Sequence, residues 1–436
     1  MESLAILAIL LGLMFVLLGL GTWIGLSLMA VAAIAIDVFA GRPAGDSIAT
    51  TIWSSSSSWM LTALPMFIWM GDILLCTKLS EDLFRGLAPL MGRIPGGLLH
   101  TNVMGCTLFG SVSGSSAATL TTVAKMTLPE LKKRNYPEPL IIGTLAGPAT
   151  LGLMIPPSII MVVYGVMTNE SIAAINIAGV IPGLVLALMF SGYIVWKAKT
   201  LKNYAPDVEP QVSFIEKLKA SRRLIPVVLL LVLVIGSMFA GYATATESAA
   251  VGVAGSFFLA WWQKTLTWKS FSDSLMSATL TSAMIALILA AAASLSLAMG
   301  FLGLPEALAA KVGGLGLSPF MLIMCLTVMY IVLGCFLDGI SCVALTIAII
   351  EPLVRQAGID MIWFGIYIVL VVEMAQITPP VGFNLFVLQS MTGHNMFRIA
   401  KWAAPQFAIM AAMVFILIAV PGLATWLPSQ MIAPRL

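Results

Sequence analysis

Apolar runs of about eighteen or more residues recur along this chain from end to end, and that recurrence restricts the fold more than any single motif. Inside a bilayer no water is available to backbone N–H and C=O groups, so only helices and closed barrels cross it. The runs have helical length, and the residue-by-residue alternation of a lipid-facing barrel strand is absent. Of 436 residues, 60% are hydrophobic and 9% charged, where a soluble chain carries about a quarter charged residues. The expected fold is therefore an all-α polytopic membrane protein. The longest polar stretch, at about 197–223, reads as a linker rather than a soluble domain. The opening "MESLAILAIL" has an acid and no Lys or Arg ahead of its apolar run, so it is read as a first span and not as a cleaved signal peptide.

Ten spans are expected, at about 3–20, 22–38, 51–77, 138–168, 172–196, 222–242, 247–263, 273–301, 361–390 and 403–427. Two more apolar segments, 96–127 and 316–354, are interrupted at their middles by polar, glycine-bearing sequence. Gly97 to Gly114 is 17 residues, about 25 Å of helix, which falls short of a hydrocarbon core of about 30 Å. Both segments are read as re-entrant helical hairpins. With both termini periplasmic and the first hairpin opening to the cytoplasm, 18 of the 22 Lys and Arg lie at cytoplasmic ends; Arg42, Lys311, Arg355 and Arg435 are outside. This obeys the positive-inside rule, which a missed or invented span would scramble.

The chain divides into two halves of five spans each, with a hairpin after the third span of each. Residues 1–200 form the first expected repeat, with hairpin 96–127 and broken helix 138–168. Residues 201–221 form a cytoplasmic linker. Residues 222–436 form the second repeat, with hairpin 316–354 and broken helix 361–390. Five is odd, so the halves insert with opposite orientation. Gly114 precedes Pro156 by 42 residues and Gly339 precedes Pro379 by 40, each interval ending in a double proline within an apolar span. Inverted repeats with paired broken helices near the midplane mark a secondary transporter.

Proline removes a donor and frees carbonyls of the preceding turn, so Pro156–Pro157 and Pro379–Pro380 should unwind their spans locally. Unwound backbone at this depth must line a cavity or lie buried in protein. The freed carbonyls suit a small cation, and Ser158, Thr378 and Asn384 add side-chain oxygens; for either break alone, a plain kink is the alternative. At each hairpin tip the helix leaving presents N–H groups and a positive dipole end to an anion, while the helix entering ends in carbonyls fit for a cation. Ser113, Ser115 and Ser116 around Gly114 occupy the first tip, and Asp338, Gly339 and Ser341 the second. Small residues also serve helix packing, and Asp338 also suits capping of its own helix.

Intramembrane carboxylates are costly and usually functional. Asp338 is the best placed for cation work; Glu373, six residues before Pro379, is open to gating, proton binding or a structural hydrogen bond; Asp72 and Glu247 are expected at the interface. No Lys or Arg stands mid-membrane, so an anionic solute has only N–H groups, hydroxyls and bound cations to hold it. Candidate solute contacts are Ser115, Ser116, Ser158, Asn384, Thr150 and Glu373. "WSSSSSW", Trp53 to Trp59, reads as an interfacial packing segment, with hydroxyls along a solute path as the alternative. The cysteines, Cys76, Cys106, Cys325, Cys335 and Cys342, form no CxxC pair and are expected as small buried hydrophobes. His100 and His394 give no metal-ligand spacing.

"FGSVSGSSAAT", "GPATLGLMIPPSIIMVVYG", "GCFLDGISCVALTIAII" and "EMAQITPPVGFNLFV", in this order, closely resemble the large membrane subunit of tripartite ATP-independent periplasmic (TRAP) transporters, over essentially the whole chain. The resemblance implies an elevator-type, sodium-coupled importer of the bacterial inner membrane. It implies two partners, a small four-helix membrane subunit, here expected as a separate chain, and a soluble periplasmic binding protein. The family's sodium sites fall by motif on Ser113, Gly114, Ser115 and Ser116 with Pro156, Pro157 and Ser158, and on Asp338, Gly339 and Ser341 with Thr378, Pro379 and Gly382. No cofactor is expected beyond sodium ions, and no GxxxxGK[ST] nucleotide motif occurs. The alternative within transport is a self-sufficient dicarboxylate symporter needing no binding protein. An intramembrane serine hydrolase lacks a credible base, since His100 lies 13 residues before Ser113, toward the hairpin mouth.

Overall fold

A computed structural model describes residues 2–92, 94–201, 219–305, 307–308, 311 and 318–431, and every regular element among them is a helix. The first half begins with α1 (Glu2–Gly19) and α2 (Ile24–Ile34), the latter prolonged by a π turn, Ala35–Phe39. It continues with α3 (Ala44–Ser56), α4 (Ala63–Leu75), α5 (Leu79–Met91), α6 (Leu99–Ser113) and α7 (Ser116–Lys133). Next come α8 (Glu138–Ala149), α9 (Leu151–Met154), α10 (Ile159–Thr168) and α11 (Ile172–Thr200). In the second half, α12 (Ile225–Phe239), α13 (Ala245–Trp262) and α14 (Trp268–Phe301) precede α15 (Pro319–Gly334) and α16 (Gly339–Gln356). Last are α17 (Met361–Gln376), α18 (Phe383–Thr392), α19 (Met396–Ala419) and α20 (Gly422–Ser429). Most of the linker expected at 201–221 lies outside the described residues.

Five helices among the described residues are long and apolar enough to cross a bilayer alone, and two bent pairs raise the number to seven. The spans expected at 3–20, 22–38 and 361–390 are represented by shorter apolar helices, Ala5–Gly19, Ile24–Phe39 and Met361–Gln376. The segment expected as one span at 51–77 is instead α3 and a second piece, Trp59–Leu75, bent by 56°. The serine run explains that bend. Ser54, Ser55 and Ser57 turn their hydroxyls back onto carbonyls of their own helix, which competes with regular helix geometry, and α3 ends at Ser56. The first double proline parts α8–α9 from α10 with a bend of 41°.

Both segments expected as hairpins, α6–α7 and α15–α16, are helix pairs joined by very short turns. The two halves interlock through them. The leaving helix of the first hairpin, α7, packs on α18, beyond the second break; the leaving helix of the second, α16, packs on α10, beyond the first. One large apolar core runs through both hairpins and both broken helices. A smaller one joins α1 and α2 to the later part of α14, touching α16 at Ala344 and Leu345. The long α14 packs along α2, α3 and α4 and reaches α16, so it lies between the early helices and the second hairpin.

Close packing of hairpin on broken helix needs glycine. A Cβ on Gly110 of α6 would lie 2.5 Å from the Gly152 Cα, and one on Gly334 of α15 would lie 2.5 Å from the Ala375 Cβ of α17. Each hairpin's entering helix therefore touches the helix before a break almost backbone to backbone. Gly110→Ala should cost about 1–3 kcal/mol through this overlap, and should lower the melting temperature of the purified protein by several degrees. Gly236→Ala on α12, where an added Cβ meets nothing within 4 Å, should leave it unchanged or raised. Equal melting of the two variants would contradict the close approach.

Candidate functional site

The first tip turns at Gly114, whose left-handed φ of 57° closes α6 and lets its N–H donate to Gly110 O at 2.9 Å. Ser115 then caps α7, its hydroxyl accepting from the Ala118 N–H at 3.4 Å. Ser113 Oγ accepts from the Ser115 N–H at 3.3 Å and pairs with Thr119 Oγ1 at 2.8 Å. Hydroxyls thus supply inside the tip the partners that water supplies at an exposed helix end. The tip rests on the first break: a Cβ on Gly114 would meet the Ile159 side chain at 3.1 Å and Pro157 O at 3.4 Å.

The break itself is held by two side chains. Ser158 is fully buried; its hydroxyl donates to Leu153 O at 2.6 Å, and its N–H donates to Asn176 Oδ1 at 3.0 Å. Asn176 on α11 returns its amide to Ile172 O at 2.8 Å. The Ser158 oxygen keeps its lone pairs for another partner.

The second tip uses a carboxylate where the first uses a serine. Asp338 caps α16, accepting from the Ile340 N–H at 3.1 Å and the Ser341 N–H at 3.3 Å, and from the Ser341 hydroxyl. Cys335 donates its thiol to Pro379 O at 3.3 Å, tying this tip to the second break, and Gln376 donates to Leu337 O at 3.5 Å. Within that break Thr378 Oγ1 donates to Met374 O at 2.8 Å. A Cβ on Gly382, where φ is 35°, would lie 2.6 Å from Thr378 O and 3.2 Å from Gln376 O, so two carbonyls converge on a position that only glycine leaves open. The Pro156–Pro157 and Pro379–Pro380 peptides are both cis.

Both tips and both breaks meet around one cavity of about 170 Å³. The first tip contributes Gly114, Ser115 and Ser116; the second contributes Asp338 and Gly339; Leu153 and Ile159 come from either side of the first break, and Glu373 and Phe383 from either side of the second. Gln376 also lines it, as does Thr281 of α14 from outside the hairpins. The remaining expected residues are not among its lining. Ser113 and Ser341 brace the tips, while Pro156, Pro157, Ser158, Thr378, Pro379 and Gly382 form the breaks. Thr150 does not line the cavity; its hydroxyl donates to Gly147 O at 2.6 Å. Asn384 is also absent from the lining, and is fully buried with neither amide atom hydrogen-bonded.

Asn176, Gln376 and Thr281 were not anticipated. The first two are amide side chains in apolar helices, a costly placement that serves as a usable signal; Thr281 is an ordinary helix residue and carries none. Glu247 is exposed and completes a capping box with Thr244, as an interfacial position would allow. Cys76 and Cys325 are exposed, unlike the three buried cysteines. In the serine run, Ser54, Ser55 and Ser58 line a second cavity, of about 350 Å³, with Asn169 at the end of α10 and Ser296 on α14. Trp53 and Trp59 stay exposed beside it.

The family model for the tripartite ATP-independent periplasmic transporter, DctM component, matches residues 11–423. The C4-dicarboxylate TRAP transporter large permease protein DctM of Pseudomonas aeruginosa is 32% identical over 386 residues, covering 88% of this chain and 89% of its own. The ectoine/5-hydroxyectoine TRAP transporter large permease protein UehC of Ruegeria pomeroyi is 28% identical, covering 84% and 85%. Among solved structures, the YdaH transporter of Alcanivorax borkumensis has a similar fold, with a TM-score of 0.60 at 14% identity over 86% of this chain and 87% of that one.

The two possible contributions of Asp338, capping and charge, can be separated. Asp338→Ala removes the cap and should cost about 1 kcal/mol, read as an earlier thermal melt. Asp338→Asn keeps an equivalent cap and should melt with the parent. If both variants melt early alike, the cap is not what the side chain contributes to stability.

Proposed function

The chain belongs to the family of the DctM component of tripartite ATP-independent periplasmic transporters, and from that premise we propose sodium-coupled import of an organic acid, a carboxylate or sugar acid, across the inner membrane in which it resides. The solute arrives from a periplasmic binding protein, and a small four-helix membrane subunit completes the complex. The observation carrying this reading is the shared cavity, in which both tips and both breaks converge and no Lys or Arg is present among the lining residues. A negatively charged solute held there has N–H groups and hydroxyls on one side and carboxylates on the other, so cations must supply the opposing charge.

In this mechanism sodium ions occupy the two junctions of tip and break, Ser113–Ser116 with Pro156–Ser158 and Asp338–Ser341 with Thr378–Gly382. Freed carbonyls and the lone pairs of Ser158 and Thr378 are the oxygen donors. Ser115, Ser116, Ser158, Asn384, Thr150 and Glu373 are the residues first assigned to the solute; of these Ser115, Ser116 and Glu373 line the cavity, and they are the ones retained at the site. The two hairpins and broken helices, interlocked as described, move as one body against α2, α4 and α14 in an elevator step, with the serine-lined cavity on the path to the site. A net charge of +1 per cycle gains about 2.3 kcal/mol per 100 mV, roughly 50-fold in accumulation.

The test is uptake into liposomes carrying the chain with its small subunit and cognate binding protein, using candidate acids with and without sodium. Accumulation that requires both sodium and the binding protein is expected. Uptake independent of sodium would refute the coupling, and uptake needing no soluble protein would point to a self-sufficient symporter. Ser115→Ala and Asp338→Ala should each weaken the sodium dependence; full coupling in both would remove the site assignment.

A further inference from the structure

Glu373 lies in the last turn of α17, 1% exposed, with neither carboxylate oxygen hydrogen-bonded, and it faces the cavity between the tips. Ser116, the first residue of α7, is the hydroxyl that lies beside it. The one other titratable group lining the cavity is Asp338, whose carboxylate already accepts two N–H groups and a hydroxyl from its own helix. Glu373 has no basic side chain among the residues lining the cavity, and only the Ser116 hydroxyl lies beside it. The carbonyl end of α17 adds negative potential at the same place. An ionised carboxylate buried without a counter-charge is among the costliest arrangements a protein can hold, so Glu373 must carry a proton or take a cation that the chain does not provide.

We propose that Glu373 binds a monovalent metal cation, Na⁺, in the cavity where the two tips meet, at a site separate from the two junctions of tip and break. Resting on the sodium-coupled reading above, this reassigns Glu373 from solute contact to cation ligand. Hard cations take oxygen ligands. Besides the two Glu373 oxygens, the cavity offers the Ser116 hydroxyl and the carbonyl oxygen of Gln376, whose amide nitrogen is committed to Leu337 O. An ionised Glu373 would be a single charge without a counter-charge, which selects a monovalent ion over a divalent one. A bound ion here joins residues of both halves, Ser116 on the first hairpin and Glu373 and Gln376 beside the second break. Its presence therefore ties the first tip to the second break.

The measurement is ²²Na⁺ binding to the full chain in nanodiscs, with thermal melts in sodium and in choline, for the parent and Glu373→Gln. The variant is expected to bind one fewer Na⁺ per chain, to melt no earlier than the parent in choline, and to lose part of the sodium-induced rise. A merely structural glutamate would instead melt earlier in both media. Gln376→Leu, which keeps the charge, should weaken sodium affinity about tenfold, and it carries the test should Glu373→Gln fail to fold. An unchanged number of bound ions in Glu373→Gln overturns the inference, as does Glu373→Gln uptake that keeps its sodium count while shifting from zwitterionic to anionic solutes, because the carboxylate would then be reading a cationic group on the solute. Failure of the broader reading is distinguishable, since it shows in the parent itself as absence of sodium binding and of sodium-dependent uptake.

Discussion

Backbone hydrogen bonding without water is the condition that everything else in this protein meets. A helix that stops inside a bilayer leaves up to four N–H or four C=O groups open at each end. Here the chain stops at two tips and two double prolines. Each stop is completed locally or by a neighbour: Ser115 and Asp338 cap their own leaving helices, Asn176 of α11 receives the Ser158 N–H, and the Cys335 thiol reaches Pro379 O. The second tip and break are joined by polar contacts, Cys335 to Pro379 O and Gln376 to Leu337 O, while the first tip rests on its break by the close approach at Gly114. A hairpin pulled away from its break would expose carbonyls to lipid.

The packing also crosses between halves. The leaving helix of each hairpin lies against the piece of broken helix beyond the opposite break, and Gly110 and Gly334 allow the approach that brings tips to breaks. The resulting body is held by close backbone approach, while α1 and α2 share a smaller apolar core with α14 that also takes in Ala344 and Leu345 of α16. Motion of the interlocked hairpins as a unit, against helices outside them, preserves every internal backbone partner. Motion of one hairpin alone would not.

The parts of this arrangement legible in the sequence were those that break a strong rule. Double prolines in apolar runs and clustered glycine and serine at "FGSVSGSSAAT" and "GCFLDGISCVA" are visible because hydrocarbon tolerates so few polar or helix-breaking residues. They located both tips and both breaks, and Ser115, Ser116, Asp338 and Glu373 do meet in one cavity. Partners that arrive from other helices were not legible. Asn176 looks like an isolated amide 18 residues after Ser158, and Thr281 sits in a helix with no interruption around it. The bend between α3 and α4 was also missed, since Ser54 to Ser58 read as packing residues when their hydroxyls in fact turn toward their own backbone or a cavity. Thr150 differs in another way: it lies near the first break, yet it is not among the residues lining the tip cavity.

The charge inside the tip cavity sets an order of events. Before any ion binds, its titratable side chains are those of Asp338 and Glu373, both acids. Asp338 is compensated within its own helix start and Glu373 is not. An anionic solute arriving first would meet repulsion in a low-dielectric site, where such terms are large. A solute arriving after a cation would meet hydroxyls, N–H groups and a compensated carboxylate. On the proposed sodium-coupled reading, affinity for the solute would rise with cation occupancy, and by reciprocity cation affinity with solute. A site with no fixed positive charge and a buried acid would then couple the proposed ion and solute through electrostatics, with no further contact between them needed.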